Sequence, residues 1–221
     1  MKNSSRICLR ILLLVMTWLA LGSSRSLAGP NAGGVLLLHV APEVEYTTQR
    51  KNWCHDIDLE GLHEINTRSK PDPYKAQLIY VLAAFDTSQT SEVQTVTFGL
   101  GDYGGEPSIY FDRWGSCQER ITEISTPGWP NPNEGTAIFF VDGPLTGSLI
   151  PLYWFAAYVY TTTTLPLTPH PTPTIGGSFV NRPQEGVMDE VVDFGILGFG
   201  VDGKLPAPLP PSADQENGSP E

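Results

Sequence analysis

Three acidic residues, Asp56, Asp58 and Glu60, alternate directly after Cys54, and Asp189, Glu190 and Asp193 form a second acidic group near the far end. Carboxylates so grouped could gather around calcium, a hard cation that takes carboxylate and carbonyl oxygens. Neither group has the full ligand spacing or the central glycine of a helix-loop-helix calcium loop. Solvated acidic loops, with Asp56 or Asp58 capping a short helix, are the plainer account, so no cofactor is assigned and calcium is kept as a secondary reading.

The histidines offer less. Cys54-His55 and His63 supply three zinc ligands without the paired short spacing that structural zinc uses. His63 precedes Glu64, but no second histidine follows three positions on, so the helical zinc-protease pattern fails. His170 stands between Pro169 and Pro171, a stiff extended setting that could orient a ligand or a general base, although an ordered connection explains it as well.

Gly99-Leu100-Gly101-Asp102-Tyr103-Gly104 formally matches the dinucleotide-binding glycine pattern. That chemistry needs a helix whose first amides face the pyrophosphate, and Gly105-Glu106-Pro107 followed by another β run does not supply one. It reads as a glycine-rich turn. No Gly-x-Ser-x-Gly elbow or Ser-x-x-Lys pattern is present for nucleophilic chemistry. A glycosidase needs two carboxylates at a set separation, and 24 acidic residues in sequence single out no pair.

Aromatic residues give the best binding hint. Tyr153, Trp154, Phe155, Tyr158 and Tyr160 put rings on both faces of one strand, and Trp129 lies in a Pro-Gly-Trp-Pro-Asn-Pro loop. Flat rings on a secreted β-sandwich can stack on sugars through apolar contact, which makes Trp129, Trp154 and Tyr158 the candidate ligand-binding residues. The competing account puts one face of the strand in the core and plugs the loop with Trp129. Exposure of Trp129, Trp114 and the Tyr158 face in a groove would favour binding, whereas burial would favour a scaffold.

The elements that would carry these residues are almost all strands. Val35 to Val40 and Gln77 to Phe85 are continuously apolar, as strands covered on both faces are. Val93 to Leu100 alternates, with Val96, Phe98 and Leu100 on one side and Thr95 and Thr97 on the other, which predicts a half-exposed strand. Further strands are predicted at 109–113, 120–124, 137–141, 152–163, 178–181 and 193–199. The chain holds 22 Gly and 20 Pro, and turn residues at this rhythm read as an all-β antiparallel sandwich, jelly-roll or Ig-like. At most one short helix is expected, where Leu59, Leu62 and Ile65 share a side.

Lys2, Arg6 and Arg10 precede an apolar stretch from Ile11 to Leu21, and small residues close it at Ser26, Leu27 and Ala28. This is the layout of a cleavable signal peptide over 1–28, and the apolar core is too short for a transmembrane helix of roughly 20 residues. Cys8 would leave with it. That predicts a single β-sandwich domain over 29–204 and a disordered Pro-rich tail over 205–221. Four of the 13 basic residues lie in the leader, so the remainder carries 9 basic against 24 acidic residues. Such an acidic body disfavours nucleic acid and anionic membrane surfaces. Cys54 and Cys117 then remain as an even pair in an oxidising compartment, and a disulfide between them is expected.

Asn31-Ala32-Gly33-Gly34 ahead of the first strand, Tyr153-Trp154-Phe155-Ala156, Pro169-His170-Pro171 leading to Gly176-Gly177, and Leu197-Gly198-Phe199-Gly200 together resemble a group of uncharacterised secreted bacterial proteins. The resemblance implies secretion and a β-rich domain, and it carries no activity. The sequence therefore reads as a secreted, non-catalytic extracellular binding or structural module, located outside the cell, at its surface or in a periplasm. Two alternatives stand beside it: a carbohydrate-binding module with a glycan or cell-surface partner, and a hydrolase on a jelly-roll scaffold.

Overall fold

A computed structural model describes residues 29–57, 59, 64–88, 90–104, 108–182 and 186–206. The expected signal peptide, most of the expected helix around Leu62 and nearly all of the expected tail lie outside them. Among the described residues twelve strands follow in chain order: β1 (Val35–Val40), β2 (Arg68–Ser69), β3 (Asp72–Ala84), β4 (Thr95–Leu100), β5 (Ile109–Ser116), β6 (Ile121–Ser125), β7 (Gly135–Phe140), β8 (Leu149–Val159), β9 (Thr163–Thr168), β10 (Ser178–Val180), β11 (Met188–Glu190) and β12 (Ile196–Phe199). A single 3-10 turn, Cys54–Asp56, is the helical content of those residues.

The strands form two sheets, antiparallel throughout except where β12 runs parallel to β2. The first sheet has the order β1-β3-β8-β5. The second is built on β4, which has β7 and then β6 on one side. Its other side is shared end to end by β10, which leads to β11, and β9, which leads to β12 and β2. The all-β sandwich expected from the turn rhythm is thus the fold observed.

Strand alternation assigns the core. Leu36, Leu38, Ile79, Val81, Tyr153 and Phe155 point from the first sheet toward Val96, Phe98, Ile138 and Phe199 of the second, and all are buried. The opposite face of the first sheet, with Val35, Leu37, Leu78, Tyr80 and Trp154, is equally dry because the segment after β1 folds back over it. Continuous apolar runs in β1 and β3 are the sequence trace of that second layer.

Trp53 is the main plug of the covering segment, and its carbonyl accepts the Tyr80 hydroxyl at 2.9 Å. The Cys54–Cys117 disulfide, with Cα atoms 5.3 Å apart, ties this layer to the end of β5. That separation falls inside the usual range of about 4.4–6.8 Å. Asn52 reinforces the tie by donating to the Cys117 carbonyl at 3.0 Å.

Three local expectations change. The threonine face of β4 is covered rather than half exposed, because the stretch from Pro169 to Gly177 lies across it. Thr97 Oγ1 donates to the Gly176 carbonyl at 3.0 Å, and a side chain at Gly135 would collide with Pro171 and His170 at 2.6 and 2.7 Å. The predicted strand over 152–163 is two elements, β8 and the start of β9, which belong to different sheets. Strands β2 and β11 are too short and polar to carry a period-2 signal.

Candidate functional site

β5 is the outermost strand of the first sheet. Its pairing with β8 slips between Phe111 and Arg113, so that Phe111 faces Ala157 and Arg113 faces Ala156. Asp112 is the extra residue of this bulge. In a regular, unbulged pairing Arg113 would follow Phe111 into the core, since side chains two apart share a face. The bulge returns Arg113 to the outer face and Trp114 to the inner side, at the strand's open rim.

Two grooves meet at that rim. The larger, about 450 Å³, runs between β5 and the 127–131 loop and is lined by Tyr110, Phe111, Asp112, Trp114 and Trp129 among others. The smaller, about 340 Å³, lies on the outer side and is lined by Arg50, Lys51, Asp112, Arg113, Trp114 and Trp154. Trp114 and Asp112 border both. Such volumes sit at the lower end of ligand sites, which run from about 300 to 1,000 Å³.

Tyr110 and Trp114 present open rings, 41 % and 40 % exposed. The ring of Tyr158 lies 6.4 Å from that of Tyr110, tilted by 30°, and is half buried. Trp129 and Trp154, by contrast, are 9 % and 2 % exposed and serve as packing residues whose edges reach the grooves. Trp129 packs edge-on against Phe98 at 5.7 Å, and its Nε1 donates to the Tyr153 hydroxyl at 3.1 Å. The Tyr153 hydroxyl in turn donates to Glu123 Oε1 at 2.8 Å. Burial, with the Glu123 charge second, holds the Tyr153 phenol far above its ordinary ionisation.

The groove walls are fixed by polar contacts. Tyr103 donates to the Pro130 carbonyl at 3.0 Å and anchors the 127–131 loop, whose Trp129–Pro130 bond is cis. Tyr46, from the covering segment, donates to Asp112 Oδ2. Burial first and then this carboxylate push the Tyr46 phenol upward. Arg113 Nη1 donates to the Thr48 carbonyl at 2.8 Å. Arg50 lies over the Trp53 ring at 4.6 Å and pairs with Asp56 at 2.8 Å.

The remaining candidates have structural employment. Asp189 receives the backbone nitrogens of Gly29 and Asn31, and Asp193 pairs with Lys204 at 2.9 Å. Asp58, Glu60 and His63 lie outside the described residues. Among those described, no group of three or more His, Cys, Asp or Glu is placed to hold a metal. His170 is buried and its Nδ1 accepts the Thr172 amide at 3.1 Å. Burial lowers its pKa against the opposing pull of Glu134. Gly99 and Leu100 end β4, and the glycine-rich stretch runs on as loop, in keeping with a turn.

Of the residues named from sequence, Trp129 borders the larger groove and Trp154 the smaller, Tyr158 lines neither, and the open rings belong to Tyr110 and Trp114. Trp114 was the recoverable one, flagged as a ring whose exposure matters. Arg113 was not recoverable, since its outward direction depends on a bulge.

No protein-family model matches the chain, and no curated protein matches it in sequence. Among solved structures, a cohesin module from the Clostridium perfringens ATCC13124 family 33 glycoside hydrolase is similar at 11 % identity and a TM-score of 0.45. The likeness covers 62 % of this chain and 90 % of that module, and at this level it carries no assignment.

Proposed function

We propose that the protein is a non-catalytic extracellular binding module that holds carbohydrate along the free edge of β5. The observation that carries this reading is the pair of open rings, Tyr110 and Trp114, set on a rigid strand beside a groove of about 450 Å³. A pyranose offers one apolar C–H face and a rim of hydroxyls. A tryptophan face takes the first, and groove-wall carboxylate and amide groups such as Asp112 and Asn131 take the second. Secretion is supported by the leader-like sequence and by the Cys54–Cys117 bridge, which suits an oxidising compartment. No helix among the described residues is long and apolar enough to cross a membrane.

Calorimetric titration with a panel of neutral and acidic oligosaccharides tests the proposal. Trp114→Ala should abolish binding and leave the melting temperature near that of the parent, because the ring is a surface group. Binding that survives both Trp114→Ala and Tyr110→Ala would remove this edge from the proposal.

A further inference from the structure

We infer that the smaller groove is a subsite for the anionic group of an acidic sugar, a pyranose bearing a carboxylate or a sulfate. This rests on the carbohydrate reading above and narrows it to a class of ligand.

The first support is charge. From residue 29 onward the sequence holds 9 basic residues against 24 acidic ones, yet Arg50, Lys51 and Arg113 line this one groove with Asp112 as its single acid. Arg50 is paired with Asp56 at 2.8 Å, which leaves Lys51 and Arg113 as the groove's cations. The local sign is therefore opposite to that of the molecule. Asp112 is already engaged by the Tyr46 hydroxyl. Arg113 spends one donor on Thr48, and a guanidinium has five. Its tie to the covering segment also fixes the fork in place, which favours planar, two-point recognition of an oxyanion.

The second support is an orphaned donor. Trp154 lines the same groove, is 2 % exposed, and its Nε1 has no hydrogen-bond partner. An indole nitrogen can only donate, and a buried donor without an acceptor is unfavourable. The nitrogen is itself closed to solvent, so an acceptor oxygen in the groove reaches it only when the groove wall shifts. The strand neighbour opposite is Gly115, where a Cβ would stand 3.5 Å from that nitrogen, so glycine leaves the indole edge clear on this side.

Trp114 joins the two halves. It borders both grooves, so a sugar stacked on its ring directs its acidic substituent toward Arg113 and Lys51, while neighbouring units run along the larger groove. The acidic remainder of the surface disfavours a long, uniformly charged chain. At about 0.1 M salt that field is screened beyond roughly 10 Å, so the groove acts locally on a short or sparsely charged ligand.

Three hexasaccharides of one backbone decide the matter: galactose, galacturonate and 6-sulfated galactose, each titrated into the oxidised protein. Both acidic forms, or one of them, should bind at least about tenfold more tightly than the neutral form, and the stronger identifies the carboxylate or the sulfate as the natural group. Lys51→Gln and Arg113→Gln should each lower the acidic-to-neutral ratio roughly tenfold. The preference should vanish at about 1 M salt, where the screening length is roughly 3 Å. Lys75→Gln, which removes the same charge away from the groove, should keep the ratio. Lys51 is exposed, so its variant carries the test if Arg113→Gln loosens the covering segment. Equal binding of all three sugars overturns this inference and leaves the carbohydrate reading standing. Binding of none overturns both.

Discussion

The Asp189 carboxylate takes the Gly29 backbone nitrogen at 2.8 Å on one oxygen, and the Asn31 amide at 3.0 Å on the other. Asp189 is 8 % exposed, and a Cβ at Gly29 would lie 2.3 Å from its Oδ2, so only glycine fits this seat. Gly29 is also the residue that cleavage after Ala28 would leave first. Its nitrogen would then be an ammonium against a buried carboxylate. Protein prepared with Gly29 as its first residue should be about 1 kcal/mol more stable at neutral pH than protein retaining Ala28, because a charged hydrogen bond outweighs a neutral one. Urea denaturation of the two forms checks this, and equal stabilities would refute the processed ion pair.

The disulfide spans 63 residues of chain. Closing a loop of that length restricts the unfolded chain by an amount worth about 4 kcal/mol on entropic grounds. Replacing Cys54 and Cys117 together by serine should lower unfolding stability by nearly that much. A double variant within about 0.5 kcal/mol of the parent, a shift typical of plain surface substitutions, would mean that the cover holds without its tie.

Trp129 and Tyr153 should answer in denaturation. Trp129→Ala empties a site packed against Phe98, Tyr153 and Phe155, at a cost of roughly 3–5 kcal/mol. Tyr153→Phe keeps the volume but strands the Trp129 Nε1–H, at roughly 1–3 kcal/mol. Guanidinium unfolding distinguishes the two, and a neutral Tyr153→Phe would show that the chain to Glu123 adds nothing.

Acid should weaken the fold through two histidines. His39 Nδ1 accepts the Asn66 amide at 3.0 Å and His170 Nδ1 accepts that of Thr172, so both rings are held neutral. Burial lowers both pKa values from 6.5, against smaller pulls from Glu43 and Glu134. The unfolded chain therefore takes up protons first as pH falls. Stability from these rings is full above pH 6.5, declines from there to the lowered folded values, and is gone below them. Melting temperatures measured from about pH 8 to about pH 5 should fall across that window. His170→Gln should flatten the decline.

Much of the sandwich was legible because its signals are local. β1 was read to its observed bounds from a run that is apolar except for His39, and the same run foretold a second dry layer. What failed was relational. The Thr95–Thr97 alternation is a true strand pattern, but its polar face is closed by residues some 75 positions away, which the strand's own sequence does not record. For Trp129 the sequence left open an exposed loop ring or a plug, and the choice of plug depends on Phe98, Tyr153 and Phe155 arriving from other strands. At the site, the rings of Tyr110 and Trp114 are open because β5 lies at an edge, a matter of strand order rather than composition.

The bulge at Asp112 has one more effect. An outermost strand with straight, unsatisfied amides invites a second molecule to zip onto it, the route to runaway self-pairing. Here the ladder is kinked midway, and a guanidinium stands just beyond the kink. The border of the sheet can therefore stay uncapped without becoming a template, which leaves it free for a visitor that is not another strand.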